Sequence, residues 1–120
     1  MDNCPLYGDV AFLKDWPGVP VGNEEGVIIS GALGDKRAIL LSHHGMLVAA
    51  GTVEEACVLA LQFERAARMQ LLAMAAGKIQ PIPPALGHEA HDWILTPKRS
   101  QVGFAYYARR ALRQHPDVLG

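Results

Sequence analysis

The sequence predicts an α/β fold in which short apolar strands are followed by a long amphipathic helix. Two runs near the middle of the chain, Ala38–Leu41 and Met46–Ala49, are apolar without alternation, which is typical of strands buried on both faces of a sheet. The segment that follows them, residues 52–77, carries both a helix start signal and a helix stop signal. With 120 residues, the chain is long enough for one modest domain.

Composition and charge place the chain among ordinary globular proteins. Half of its residues are hydrophobic, 19% are charged and the formal net charge is −1, so a disordered chain and a basic nucleic-acid binder are both disfavoured. Glu64, Arg65 and Arg68 interrupt the longest apolar stretch, and the N-terminus lacks the pattern of a signal peptide. Cys4 and Cys57 favour reduced thiols over a disulfide. We therefore expect a cytoplasmic protein that binds neither nucleic acid nor membrane.

The first part of the chain divides into an irregular segment and the beginning of a regular core. Residues 1–22 are rich in proline and glycine and are predicted to be irregular, with one short strand near Cys4–Tyr7. Residues 23–78 are predicted to form a helix–strand–strand–helix core. Its first helix has an N-cap at Asn23, two glutamates in the first turn and a stop at Gly34.

The long helix is the clearest element in the sequence. Thr52 and Glu55 form a capping box and Gly77 is a stop, so the helix is predicted to span Val53–Ala76. Two apolar stripes run along it on different faces, which predicts two packing partners: the sheet, and a subunit or missing domain. The first stripe consists of Ala56, Leu59, Ala60, Phe63, Ala67 and Met74, and the second of Val58, Leu61, Met69 and Leu72.

Residues 79–120 are predicted to be a linker followed by two terminal helices. The short helix spans His88–Leu95, and the terminal helix has Thr96 as its cap, Pro97 at its first position and Pro116 beyond its end. Two or three strands make a thin sheet, so the chain looks like part of a larger layered fold. The inward face of the terminal helix is predicted to carry Phe104, Tyr107, Ala108, Ala111 and Leu112.

Two histidine pairs are the candidate functional residues. His43 and His44 lie between the two strands, and histidine is both the commonest metal ligand and an acid or base near neutral pH. Successive side chains on a strand point to opposite faces, so only one of them is expected to face a site, and spacing alone favours a structural role. His88 and His91 are three residues apart on a possible helix. A catalytic zinc site takes three protein ligands, and this pair lacks the residues of the familiar HExxH pattern, so we interpret it as two surface histidines rather than as metal ligands.

A longer stretch, "AILLSHHGMLVAAGTVEEACVLALQFERAARMQLLA", resembles the class II aldolase/adducin family. The resemblance rests on an apolar strand, a His-Gly turn, a second strand that ends in glycine, a Thr-x-Glu-Glu-Ala helix start and a Glu-Arg pair in the helix. It covers about residues 5–76, and "PLYGD…EEG…ALGDKRA" upstream also fits. The positions that match in order are Leu40, Leu41, His44, Gly45, Gly51, Thr52, Glu54, Glu55, Ala56, Glu64 and Ala67.

The resemblance implies a three-layer α/β/α domain around a mostly antiparallel sheet, assembled as a homo-tetramer. Residues 1–120 would be the C-terminal portion of that domain, with a short sheet and a long helix. In the family's enzymes three histidines hold a divalent metal, commonly zinc, which acts as a Lewis acid on an enediolate or related anion. By this resemblance His44 is the third ligand, and His43 stands where asparagine is usual. The His-x-His pair that supplies the other two ligands is absent from the sequence.

The function implied is that of a metal-dependent class II aldolase-like lyase. It would cleave a C–C bond, by retro-aldol chemistry or decarboxylation, in a small hydroxylated or carboxylated substrate. No residue of the chain can be assigned as the catalytic acid or base. Three alternatives remain at this point, of which the first two are a non-catalytic assembly module like the adducin head and an inactive truncated fragment. An unrelated small α/β domain is a third.

Overall fold

The computed structural model describes residues 5–15, 22–94 and 96–120. Cys4 lies outside these residues, so the predicted strand near Cys4–Tyr7 can be compared only from Pro5 onward. The elements are β1 (Val10–Leu13), α1 (Glu24–Leu33), β2 (Ala38–Leu41), β3 (Gly45–Val48), α2 (Val53–Ala76), α3 (Pro84–Ile94), α4 (Pro97–Gln114) and a final 3-10 helix (Pro116–Leu119).

The three strands form one mixed sheet in the order β1-β2-β3. β1 pairs with β2 in parallel, and β2 pairs with β3 in the antiparallel sense. The first strand is not where the sequence predicted it, because residues 5–8 form a turn and the strand begins only at Val10. Gly8 has a φ of 72° and Asp9 N donates to Leu6 O at 3.1 Å, so the chain turns before it can extend.

The helix limits agree closely with the capping signals in the sequence. α2 has the predicted bounds, and its Thr52 Oγ1 accepts a hydrogen bond from Glu55 N at 3.2 Å. The Glu55 carboxylate in turn accepts from Gly51 N at 3.4 Å, which completes a capping arrangement at the start of the helix. Asn23 and Thr96 also precede helices as predicted, but neither side chain makes a capping hydrogen bond. α3 begins at Pro84 rather than His88.

Among the described residues, close packing is concentrated at one end of the sheet. Val10, Ala38 and Val48 lie opposite one another across the strands, and this row packs against Leu59 and Phe63 of α2. We call this the packed end; it holds the starts of β1 and β2 and the finish of β3.

The other end of the sheet is exposed. Phe12, Leu40 and Met46 form the next row on the same face and are 63%, 40% and 38% exposed. We call it the open end. The prediction that both strands are buried on both faces is therefore confirmed for Ala38 and Ile39 and wrong for β3, because within the described residues α2 reaches only the first row.

The two apolar stripes of α2 differ in what they pack against. Leu59 and Phe63 of the first stripe are its only buried residues. Val58 of the second stripe faces α4, where a Cβ added to Gly103 would lie 3.3 Å from Val58 Cγ2. The second partner of α2 is thus, in part, α4 of the same chain. None of the helices in the described part of the chain is long and apolar enough to cross a membrane.

Candidate functional site

The two adjacent histidines lie in a tight turn at the open end of the sheet. His44 N donates to Leu41 O at 3.1 Å, which makes residues 41–44 a β-turn, and Ser42 N donates to Leu13 O at 3.0 Å. His43 occupies the third position of this turn with a φ of 62°. Positive φ at that position favours glycine or asparagine, so a histidine there is held in a strained backbone conformation. The turn therefore presents two imidazoles from a short and constrained loop.

Both imidazoles are accessible. His43 and His44 are exposed, as is Gly45, which follows them with a φ of 150°. The apolar row of Phe12, Leu40 and Met46 lies next to the turn on the sheet. A ligand that approached the open end would thus meet two imidazoles beside an apolar surface.

The other histidine pair lies at the opposite end of the sheet, on α3. His91 Nε2 is 3.3 Å from Asp9 Oδ2 and its Nδ1 is 2.8 Å from Asp92 Oδ1. The ring of His88 packs edge-on against Tyr7, with 5.0 Å between the centroids. Asp9 precedes β1, whereas the His43–His44 turn follows β2, and β1 and β2 are parallel, so the two pairs lie at opposite ends of these strands.

A polar cluster that sequence reasoning missed holds the packed end together. Asp9 Oδ1 accepts a hydrogen bond from Arg37 N at 3.0 Å, and Asp9 Oδ2 lies 3.4 Å from Arg37 Nε. Arg37 Nη1 also reaches Glu55 Oε1 at 3.5 Å, and His91 adds the contact to Asp9 described above. These partners are 18 to 82 residues apart in sequence, and no local pattern links them. An open cavity of about 330 Å³ lies beside the cluster, partly lined by Lys36.

The described residues do not by themselves fit a catalytic metal site. Residues 5–15, 22–94 and 96–120 contain no group of three histidine, cysteine, aspartate or glutamate side chains arranged to hold a metal ion. A catalytic zinc needs three protein ligands, and within the described residues no such group forms around the His43–His44 pair. A metal bound at this turn would therefore need ligands from elsewhere.

The family assignment comes from the segment that contains this turn. Residues 2–71 match the family described as Class II Aldolase and Adducin N-terminal domain. The chain belongs to this family. The matched segment runs from before β1 to within α2, and so includes the three strands and the His43–His44 turn.

Two curated relatives are identical to this chain at about a third of the aligned positions. The chain is 33% identical over 82 residues to a 4-hydroxy-3-prenylphenylpyruvate oxygenase/4-hydroxy-3-prenylbenzoate synthase from Streptomyces roseochromogenus subsp. oscitans. It is equally similar to Decarboxylase NovR from Streptomyces niveus. In each case the match covers 68% of this chain and 30% of the relative.

A solved structure extends the similarity to almost the whole chain. The L-fuculose 1-phosphate aldolase from Glaciozyma antarctica PI12 superposes with a TM-score of 0.82 at 27% identity, over 98% of this chain and 44% of that one. The mixed α/β fold with a short sheet and long helices is therefore the class II aldolase fold, as the sequence predicted. The chain spans less than half of the length of the proteins it resembles.

Proposed function

We propose that residues 1–120 are the C-terminal portion of a class II aldolase-like lyase. The lyase would cleave a C–C bond, by retro-aldol chemistry or decarboxylation, in a small hydroxylated or carboxylated substrate. The names of its relatives, a decarboxylase and an aldolase among them, support this class of reaction. The observation that carries the proposal is the exposed and strained His43–His44 turn, which lies at the open end of a class II aldolase fold.

His44 is the residue that we assign to the metal of this site, with zinc as the first candidate. A single histidine does not complete a catalytic zinc site, so we assign no step of the reaction to the metal. The remaining ligands would have to come from outside the described residues. As metal ligands in their own right, His88 and His91 are weaker candidates than His44, since they contact Tyr7 and Asp9 at the packed end.

His43 has a part of its own in this proposal. Cleavage of a C–C bond beside a carbonyl or carboxylate leaves negative charge on the substrate, and aligned donors stabilise such charge. The exposed imidazole of His43 can donate an N–H to an anion from the same turn that carries His44. This role for His43 does not require the imidazoles of His43 and His44 to bind the same metal ion.

The test joins this chain to a preceding segment that supplies a His-x-His pair and an acidic residue. The upstream coding sequence is the first source if it continues in frame, and the solved aldolase is the second. Stoichiometric zinc, manganese or cobalt and metal-dependent C–C cleavage are expected in the joined protein, and negligible turnover in the 120-residue chain alone. His44→Ala should lower kcat/KM by at least about 100-fold, whereas His115→Ala, an exposed histidine after α4, should leave it unchanged.

Two results would count against this proposal. Turnover that does not respond to His44→Ala would show that the turn is not part of the site. A joined protein that is folded, metal-free and inactive would favour the non-catalytic assembly module instead.

A further inference from the structure

A cavity of about 250 Å³ lies between α2 and α4, and no residue that lines it belongs to the His43–His44 turn or to the polar cluster around Asp9. Leu59 lines this cavity and also packs against the first row of the sheet, so the cavity lies near the packed end. A water molecule takes up about 30 Å³ in the liquid, so the cavity has room for a small molecule of about ten non-hydrogen atoms. We call it the α2–α4 cavity.

Most of the cavity wall is apolar. Val58 and Leu59 belong to its α2 side, and Val102 belongs to its α4 side. Tyr106 and Tyr107 also line the cavity, and their rings meet edge to face with 5.2 Å between the centroids. A wall of this kind stabilises the aromatic or branched apolar part of a ligand, because that part leaves water on binding.

Arg99 supplies a cationic group to this apolar cavity. Its guanidinium lies over the indole of Trp93, with Cζ 3.4 Å from the ring centroid. A guanidinium held in this way keeps the N–H groups in its own plane available for hydrogen bonds. Within the part of the chain that the structure describes, the Arg99 side chain has no ion pair and no hydrogen bond. The cation is therefore held in place and can bind a carboxylate through two parallel hydrogen bonds.

Ser100 places a hydroxyl group at the same cavity. The residue is 6% exposed and lines the cavity, and no hydrogen bond of its hydroxyl group occurs among the described residues. In the same part of the chain every fully buried side-chain polar atom has a hydrogen-bond partner. The hydroxyl of Ser100 is therefore not fully enclosed, and the cavity is the accessible space beside it. A nearly buried hydroxyl without a partner is available to donate to a bound ligand.

The charge around the cavity favours an anion. Although the formal net charge of the chain is −1, the sequence between Asp92 and Asp117 contains five basic residues and no acidic residue. None of the described residues that line the cavity is acidic either. A negatively charged ligand would therefore meet attraction here without a carboxylate to repel it. The five basic residues are Lys98, Arg99, Arg109, Arg110 and Arg113.

Among anions, a carboxylate fits this cavity better than a phosphate. A phosphate group carries a charge of about −1.5 to −2 and three strong acceptor oxygens, so it needs several donors. Among the described residues that line the cavity, Arg99 is the one cation, and most of its neighbours there are apolar. A carboxylate carries one charge, and its two oxygens match the fork of one guanidinium.

We propose that the α2–α4 cavity binds a small organic carboxylate with an aromatic or branched apolar body. The body of the ligand fills the apolar part of the cavity, and the carboxylate accepts hydrogen bonds from the Arg99 guanidinium and the Ser100 hydroxyl. This binding site does not depend on the proposed lyase chemistry at the His43–His44 turn.

Titration of the 120-residue chain with 3-phenylpropanoate, followed by NMR, tests the site. We expect a dissociation constant of about 0.1 to 1 mM, with shifts of the methyl signals of Val58 and Val102. The methyl signals of Leu40 and Met46, which lie beside the turn, should not move. The neutral amide of the same compound and inorganic phosphate should each bind at least about ten-fold more weakly, since one lacks the charge and the other lacks the apolar body.

Two variants and a matched control test the polar contacts. Arg99→Gln should raise the dissociation constant for 3-phenylpropanoate by at least about ten-fold, and Ser100→Ala should raise it by about three- to ten-fold. Arg110→Gln makes the same change of charge on the same helix, at an exposed residue that does not line the cavity, and should alter it by less than about two-fold. Amide spectra of each variant report whether the fold is retained.

Four outcomes overturn the proposal. Saturating 3-phenylpropanoate could leave the signals of Val58 and Val102 unchanged, which would show that the cavity does not take this class of ligand. The neutral amide could bind as tightly as the acid, or phosphate could bind more tightly than either. Arg99→Gln could weaken binding no more than Arg110→Gln does, which would mean that general electrostatic attraction accounts for the affinity. If Arg99→Gln does not fold, equal binding by the wild-type chain and Ser100→Ala contradicts the assigned contacts.

Discussion

The two ends of the sheet differ in almost every physical respect. At the packed end Ala38 and Leu59 are fully buried, and Asp9 links Arg37 to His91. At the open end the apolar row is exposed, and His43 holds a positive φ in the turn between β2 and β3. The stabilising contacts are therefore concentrated at one end, and the candidate functional turn lies at the other.

This difference has a simple physical origin. α2 packs its one buried pair, Leu59 and Phe63, onto the first row of the sheet and then runs beyond it. Residues that bind ligands are commonly taken from the less stable parts of a fold, and a rigid scaffold holds them in place. Changes at the packed end should thus alter stability strongly, whereas changes at the open end should alter it little.

The largest effect is expected for Leu59→Ala. Leu59 is fully buried, so the cavity left behind should lower the free energy of unfolding by about 3 kcal/mol. Leu40→Ala removes the same side chain at the open end, where it is 40% exposed, and should cost less than about 1 kcal/mol. Urea unfolding at one fixed protein concentration measures both. Equal losses would mean that the open end is covered in solution.

A smaller effect is expected for Asp9→Ala. The substitution removes the acceptor for Arg37 N, the ion pair with the Arg37 guanidinium and the contact with His91, and should lower the free energy of unfolding by about 2 kcal/mol. The matched control is Asp92→Ala, since this carboxylate is 80% exposed and its contact among the described residues is with the His91 ring. Its loss should stay below about 0.5 kcal/mol. If the two variants proved equally stable, the polar cluster around Asp9 would not be what stabilises the packed end.

Gly87→Ala should come next. An added Cβ would lie 2.5 Å from Tyr7 Cε2, so the ring must shift, and we expect a loss of about 1.5 kcal/mol in the free energy of unfolding. The same substitution at Gly26 of α1 meets nothing within 4 Å and should instead stabilise the protein by up to about 1 kcal/mol. In a Tyr7→Leu background the cost of Gly87→Ala should fall. A cost that stayed the same would mean that the ring is not the obstacle.

The smallest expected effect is a gain in stability at the open end. His43→Asn places a residue that tolerates positive φ at the third position of the turn and should raise the free energy of unfolding by about 0.5 kcal/mol. His44→Asn, one residue later, relieves no such strain and serves as the control. Thermal unfolding of both variants measures the difference. A loss at His43→Asn would indicate that its imidazole stabilises the folded turn.

The candidate site could be predicted only in part. The family resemblance predicts that His44 is a metal ligand in a His-Gly turn, and the structure has that turn exposed at the end of the sheet. Its metal role stays a prediction. For His91, a weak metal candidate in the sequence, the described contacts are with Asp9 and Asp92. Asp9 is 82 positions away along the chain, so nothing near His91 in the sequence could indicate it.

Local signals in the sequence by themselves determined the limits of several elements. The bounds of α2 follow from Thr52, Glu55 and Gly77, because a helix cap acts through hydrogen bonds within about four residues. The bounds of β2 follow in the same way from a short apolar run beside a turn. The family's His-Gly turn was also visible, since its residues are adjacent.

Only the tertiary structure decided how these elements combine. It placed β1 at Val10, paired it in parallel with β2 and left the second half of α2 exposed. It also joined Asp9 to Arg37 across 28 positions and Arg37 to Glu55 across 18. Strand pairing and long-range polar contacts depend on which distant segments meet in space. Sequence patterns that span only a few residues cannot predict which segments those are.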